Sequence, residues 1–333
     1  MGRKAYLVGT GHCVPDRVLT NKDLEQIVDT SDEWITTRTG IKERRITNDQ
    51  TSTSDLAIVA VEEALEMAGW GPKDVDCMIV ATVTPDYIFP STAAIVSDKL
   101  GMNNIPAYDF EAGCSGFIYG LIQAKCFIGS GMLDRVVVLG AECLTKITNW
   151  EDRTTCVLFG DGAGAAAIGP EGPGGELGGW HWGSDGSLGD LLELPAGGSR
   201  KPASKETVKA NEHTLRMKGN ETFKYAVRAM RDSCLKALDM DGTPKSEVDL
   251  LVPHQANYRI IDATARALEL RPEQVYVNID KYGNTSAASI PMALDEAVRK
   301  GEVTPPKNVV LAAFGAGLTW AGMLLKWKEE EGL

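Results

Sequence analysis

Ile105-Pro-Ala-Tyr-Asp-Phe110 runs through Glu-Ala-Gly113-Cys-Ser-Gly116 into the apolar stretch Phe117-Ile-Tyr-Gly-Leu-Ile-Gln-Ala-Lys-Cys-Phe-Ile-Gly129. In the second half of the chain, 170 residues on, Val275-Tyr-Val-Asn-Ile279 runs through Gly283-Asn-Thr-Ser286 into Ala287-Ala-Ser-Ile-Pro-Met-Ala-Leu294. Each reads as strand, tight junction and helix. The echo extends outward on both sides. A helical pattern from Ser54 to Ala68 leads through Gly-Trp-Gly-Pro to the strand pattern Val75–Val80. Asn220 to Leu238 leads through Asp-Gly-Thr-Pro to Val248–Val252, at an offset of 173 residues. Val136–Leu139 is answered by Val309–Ala312 at the same offset, and the glycine-rich strand patterns 162–168 and 317–325 close the two halves.

The repeat sets the expected fold class: α/β, two duplicated halves of alternating strands and helices, each forming a mostly parallel sheet. The halves divide as 1–172, which holds Cys114, and 173–333, which holds His254 and Asn284. A turn-rich linker with some strand content is expected over 170–215. The helices after Cys114 and Asn284 carry almost no charge: Lys125 alone in 115–129, none in 285–294. A helix apolar all round is buried, so these two are expected to pack together between two sheets. The result is a five-layered αβαβα sandwich with helices such as Ser54–Ala68 outermost.

Composition narrows the function. With 34 Lys+Arg against 46 Asp+Glu the formal charge is −12, which lacks the basic footprint of a protein bound to nucleic acid or anionic membranes. The apolar run before Gly9 is too short for a signal-peptide core, and no stretch reaches the ~18 to 20 apolar residues of a membrane span. The 7 cysteines are odd in number, scattered and without a C-x-x-C pair. That pattern predicts reduced thiols in a cytoplasmic protein and no metal site.

Cys114 sits between strand and helix, where free N–H groups and the helix dipole favour a thiolate. The dipole's ~0.3 to 2 kcal/mol is too small to ionise the thiol unaided, so a partner is expected. An isolated cysteine is most often a small core residue, and it is the junction that makes Cys114 the best nucleophile candidate. Of the four histidines, at 12, 181, 213 and 254, only His254 follows a strand at the end where open α/β sheets bind ligands. Asn284 occupies in the second half the junction that Cys114 occupies in the first, a place where a lone asparagine reads as a helix cap. Convergence of the junctions would unite Cys, His and Asn. A thiol can hold an acyl group, and a neutral imidazole and an amide can donate to a developing oxyanion. A carboxylate would repel an enolate. The set suits acyl transfer followed by carbon–carbon bond formation.

At these residues the chain resembles the thiolase-fold condensing enzymes, and among them the β-ketoacyl-acyl-carrier-protein synthase III family. The matching stretches span nearly the whole chain: 30–35, 37–41, 89–91, 112–116, 159–164, 217–223, 252–257, 283–288 and 314–320. The Cys/His/Asn set is unlike the Cys/His/His of elongating synthases. The resemblance implies initiation of fatty acid synthesis without a cofactor. Cys114 is acylated from acyl-CoA, in an oxyanion hole formed by the N–H groups of Cys114 and Gly317. Malonyl-acyl carrier protein is then decarboxylated and condensed with help from His254 and Asn284. It further implies coenzyme A contacts at Trp34, Arg38, Arg153, Asn220, Phe223 and Asn257, and a homodimer in which Phe89 reaches the partner's acyl pocket. Lys224, Arg228 and Arg231 on one helix, with Arg259 and Arg266 on another, form the candidate docking face for the acidic carrier protein. Ala267 departs there from a paired basic pattern of some relatives. Competing readings are a Cys/His/Asn thioester hydrolase, a transacylase or secondary-metabolism ketosynthase of the same fold, and a dimeric binding protein.

Overall fold

A strand covered on both faces sends alternate residues into different cores. The nine main strands do this in the computed structural model, which describes residues 2–328. They are β1 (Tyr6–Cys13), β2 (Cys77–Ala81), β3 (Ala107–Phe110), β4 (Val136–Cys143), β5 (Asp161–Gly169), β6 (Glu176–Ser184), β7 (Leu250–Pro253), β8 (Lys307–Gly315) and β9 (Thr319–Trp327). The helices that matter here are α1 (Asp32–Thr39), α2 (Thr53–Ala68), α3 (Gly116–Gly129), α4 (Gly219–Asp241), α5 (Tyr258–Ala267) and α6 (Ser289–Arg299).

Val136 and Val138 of β4 enter a central core while Val137 and Leu139 enter an outer one. In β8, Val309 and Leu311 face the same central core and Val310 and Ala312 face a third. The central core holds the apolar sides of α3 (Phe117, Leu121) and α6 (Ile290, Leu294) between strands of both halves. Helix α2 covers the first half from outside, and α4 and α5 cover the second. These are the five layers expected from the two buried helices. Helix α2 is started by Asp55, whose carboxylate accepts the Ser52 N–H at 2.8 Å, and stopped by Gly69 at φ +66°.

The strand order is β7-β8-β9-β6-β1-β5-β4-β2-β3. Two expectations need correction. First, the sheets are not mostly parallel: β2–β3, β2–β4 and β7–β8 are parallel, whereas β1–β5, β4–β5, β8–β9, β6–β9 and β1–β6 are antiparallel. No long helix separates β4 from β5 or β8 from β9, so each second strand folds back beside the first. The two sheets also join at one edge, where Tyr6 pairs with Glu176.

Second, the Val275–Ile279 strand shrinks to a single bridge from Val275 to Leu251. The Gln255 carboxamide accepts the N–H groups of Asn278 and Ile279 at 3.1 and 3.2 Å, drawing the chain off the sheet into a helical turn. The expected linker over 170–215 does hold strand content: its Glu176–Ser184 segment is β6, an interior strand. Its Gly179 lies so close under α4 that a Cβ there would stand 2.1 Å from the Ala237 carbonyl oxygen. Gly179 is thus a close-packing glycine, whereas Gly186 and Gly198 in the same stretch meet nothing within 4 Å.

Candidate active site

The two junctions meet. Cys114 lies in a short 3₁₀ turn, Gly113–Ser115, between β3 and α3, and Asn284 lies just before the equivalent turn, Ser286–Ala288, that leads into α6. Gly315, at the end of β8, packs against Cys114 so tightly that an added Cβ would stand 2.3 Å from the Cys114 nitrogen. His254 continues β7, its N–H donating to Ala312 of β8 at 2.7 Å. Asn284 is clamped to 158–160: its N–H donates to Leu158 O at 2.8 Å, and its carbonyl accepts the Gly160 N–H at 3.0 Å. Its Oδ1 accepts the Ser286 N–H at 2.9 Å. Among the described residues no acceptor takes its Nδ2.

Cys114, His254 and Asn284 all line one cavity of about 850 Å³. Its wall holds Arg38, Lys224 and Arg259 but no carboxylate. The His254 Nδ1 lies 2.6 Å from the Ser289 hydroxyl, which also accepts the Gln255 N–H at 3.4 Å. Where Ser289 donates its proton to Nδ1 while accepting from Gln255, the ring proton of His254 sits on Nε2. Burial lowers the His254 pKa to about 3, so the ring is neutral at ordinary pH. Burial also pushes the Cys114 thiol up to about 12. Desolvation thus outweighs the small contribution of the helix terminus, in keeping with the expectation that the thiol needs a partner to ionise.

Trp34 and Arg38 sit on α1, and two guanidiniums flank the Trp34 ring, Arg38 at 5.6 Å and Arg153 at 5.3 Å. Arg153 also donates to the Asp29 carbonyl at 2.8 Å. Asn220, Phe223 and Asn257 line the cavity, and the Arg259 guanidinium stands 5.8 Å over Phe223. Asn257 additionally caps α5, its Oδ1 accepting the Arg259 N–H at 2.9 Å. Of the basic residues expected at the mouth, Lys224 and Arg259 line the cavity. Arg228 and Arg231 both face Asp232, and Arg266 is paired with Asp262. Gly317, at φ +129°, lies in the turn after β8, where the residue that reaches the cavity wall is Gly315. Phe89 is 84% exposed. His12 pairs with the buried Asp295 at 2.6 Å, away from this cavity.

Sequence reasoning missed Ser289, Ser286 and Glu142. Glu142 is fully buried at the end of β4, and Ser286 adopts a left-handed backbone at φ +48°. A single charge in the apolar run Val136–Cys143 was the available signal for Glu142.

Two family models match, described as 3-oxoacyl-[acyl-carrier-protein (ACP)] synthase III over residues 108–186 and as its C-terminal part over 238–327. Beta-ketoacyl-[acyl-carrier-protein] synthase III of Caldanaerobacter subterraneus subsp. tengcongensis is 55% identical over 325 residues, 98% of each chain. The Clostridioides difficile protein of that name is 53% identical, covering 98% of this chain and 99% of its own. Among solved structures, 3-oxoacyl-[acyl-carrier-protein] synthase III from Aquifex aeolicus superposes with a TM-score of 0.89 at 47% identity, over 97% of this chain and all of that one. The priming β-ketosynthase of the R1128 polyketide pathway gives 0.90 at 33%, over 98% and 97%. The chain belongs to the β-ketoacyl-[acyl-carrier-protein] synthase III family, condensing acyltransferases built on the thiolase fold.

Proposed function

We propose that the protein condenses an acyl group from acyl-CoA, acetyl in the first instance, with malonyl-acyl carrier protein. The products are 3-oxoacyl-acyl carrier protein, carbon dioxide and coenzyme A, and the reaction initiates fatty acid synthesis. The carrying observation is a cavity wall that brings together a thiol, a neutral imidazole and an unpaired amide N–H₂ with three cations and no carboxylate. Cys114 attacks the thioester carbonyl, and the developing oxyanion is held by the Cys114 N–H and an N–H of the turn after β8, with Gly317 the expected donor. Coenzyme A leaves. Malonyl-acyl carrier protein enters, and loss of carbon dioxide leaves an enolate on the thioester oxygen. The Nε2–H of His254 and the Nδ2–H of Asn284 donate to it before it attacks the acyl-cysteine. Neutral donors suit this task, since neither requires protonation at working pH.

Trp34, Arg38 and Arg153 form the slot for the base and phosphates of coenzyme A; Asn220, Phe223 and Asn257 follow its pantetheine arm. Lys224 and Arg259 contribute most to carrier-protein docking, with Arg228 and Arg266 farther out. We assign the protein to a cytoplasmic homodimer. Tyr87, Ile88 and Phe89 are three consecutive apolar residues, each more than 60% exposed, which supports a partner copy covering them. No described helix is long and apolar enough to cross a membrane.

The test is intact-mass detection of acyl-Cys114 with a panel of acyl-CoA donors, followed by malonyl-acyl carrier protein. His254→Ala and Asn284→Ala are expected to retain acylation and to lose decarboxylation by about 10²-fold or more. Normal decarboxylation in either variant overturns their role. The likeness to the priming β-ketosynthase of the R1128 polyketide pathway favours a second reading, in which another acyl group is the primer and the product enters a secondary pathway. The same donor panel separates the two.

A further inference from the structure

Ser289 opens α6 and is buried, yet the reaction above gives it no part. Its hydroxyl has two partners among the described residues, the His254 Nδ1 at 2.6 Å and the Gln255 N–H at 3.4 Å. Both sides of this contact are held in place. The His254 N–H is committed to Ala312 of β8 at 2.7 Å, so the ring can turn only about its own side-chain bonds. The Gln255 carboxamide is locked by four bonds: Nε2 donates to the carbonyls of Pro253 and Tyr276 at 2.8 and 3.2 Å, and Oε1 accepts the N–H groups of Asn278 and Ile279 at 3.1 and 3.2 Å. On the serine side, the Ser286–Ala288 turn is seated on β4, where a Cβ at Gly140 would stand 2.1 Å from the Ala287 carbonyl oxygen. One turn further on, α6 presses against β5, since a Cβ at Gly164 would stand 2.7 Å from the Met292 nitrogen.

In a neutral imidazole one nitrogen carries the proton and the other a lone pair, and the hydrogen bond made by one nitrogen decides which is which. With the proton on Nδ1, Ser289 would accept from the ring and from Gln255, and its own hydroxyl proton would have no acceptor among the described residues. A buried donor left unpaired bears its full desolvation cost. With Ser289 donating to Nδ1 and accepting from Gln255, all three groups are satisfied and the ring proton sits on Nε2. We propose that Ser289 is the positioning residue that fixes His254 as the Nε2–H tautomer and aims that N–H into the cavity.

The proposal deepens the condensation reading, on which its kinetic consequence rests. An enolate oxygen needs a donor at Nε2, and an Nε2 stripped of its proton would meet it with a lone pair. Among the described residues no hydrogen bond occupies Nε2, which leaves its proton for the substrate. A hydroxyl donating to Nδ1 also polarises the ring and strengthens the donor on its far side. The same short segment sets the second donor, since the Ser286 N–H donates to the Asn284 Oδ1 at 2.9 Å and so turns Nδ2 away from that bond. Residues 286–289 thereby orient both neutral donors of the site. Acylation of Cys114 draws on neither of them, so the two half-reactions should respond differently to loss of the Ser289 hydroxyl.

The experiment uses the full chain, with isotope-labelled histidine, as wild type, Ser289→Ala and Ser289→Thr. Long-range proton–nitrogen NMR spectra, with His254→Ala to assign the ring, read the tautomer directly. In the wild type Nε2 should carry the proton and Nδ1 should show the shift of an unprotonated, hydrogen-bonded nitrogen; a protonated Nδ1 overturns the proposal. Single-turnover acylation of Cys114 and decarboxylation of malonyl-acyl carrier protein are then measured in the same proteins. Ser289→Ala should decarboxylate about tenfold or more slowly with KM for malonyl-acyl carrier protein unchanged, and should acylate within about threefold of wild type. Ser289→Thr, which keeps the hydroxyl, should recover most of the lost rate. Equal losses in both half-reactions, an alanine variant that decarboxylates normally, or a folded threonine variant as slow as the alanine one each overturn the positioning role. Should the threonine variant fail to fold, the tautomer and the split between half-reactions decide. The spectra need no substrate. A wild type that shows Nε2–H but forms no acyl-Cys114 would refute the condensation reading and leave the tautomer assignment standing.

Discussion

Burial acts on the two titratable groups beside Cys114 with opposite sign, and this makes their joint effect on stability measurable. It lowers His254 from 6.5 to about 3 and raises Glu142 from 4.5 to about 7. Between pH 6.5 and about 3 the unfolded chain binds a proton at His254 that the folded chain does not. Stability is therefore lost as pH falls through that window, at about 1.4 kcal/mol per pH unit. Between about 7 and 4.5 the folded chain protonates Glu142 first, so stability is gained at a similar rate as pH falls. From pH 6.5 to 4.5 the two contributions offset one another. Relative to wild type over that interval, Glu142→Gln should lose about 3 kcal/mol and His254→Gln should gain about as much. Urea midpoints taken at half-unit steps of pH check this. Curves of one shape for all three proteins would mean that the two groups do not titrate as their burial dictates.

At the scale of elements, the repeat was readable because burial leaves a strong trace in sequence. The stretches 115–129 and 285–294 carry a single charge between them, Lys125, and that placed the two helices they open between the sheets and brought Cys114 toward Asn284. Two other elements left a misleading trace. The Val275–Ile279 run has strand composition, but the Gln255 side chain competes for its N–H groups, a contact made only in the folded chain. Strand β6 is rich in glycine because α4 lies directly on it, and glycine chosen for close approach looks the same as glycine chosen for a turn. Ser286 and Glu142 were illegible for a related reason: sequence shows that a charge sits in an apolar strand, not what it faces. The two kinds of glycine separate by substitution. Gly179→Ala meets the Ala237 carbonyl and should destabilise by about 1 to 3 kcal/mol or more. Gly186→Ala meets nothing within 4 Å and should stay within about 0.5 kcal/mol of wild type. Denaturant midpoints decide, and equal effects at both sites would contradict the packing of α4 on β6.

The whole molecule carries a formal charge of −12, yet the charged side chains of its cavity wall, Arg38, Lys224 and Arg259, are all positive. An acidic carrier protein is thus repelled at a distance and attracted at the mouth. The balance depends on range, because exposed charges beyond a Debye length, ~10 Å at 0.1 M salt, are screened. Arg228 and Arg266 are each shared with an aspartate, so they add less field than the free pair at the mouth. Neutralising that pair, in Lys224→Ala/Arg259→Ala, should raise KM for malonyl-acyl carrier protein about tenfold, equivalent to about 1.4 kcal/mol. Malonyl-pantetheine, which reaches the same sulfur without a carrier protein, should show a much smaller rise. Added salt should narrow the difference between wild type and variant, since it screens the attraction that the variant has already lost. An equal rise in KM for both substrates would place the two cations in service of the cavity rather than of the carrier protein, and the docking face would have to be sought elsewhere on the surface.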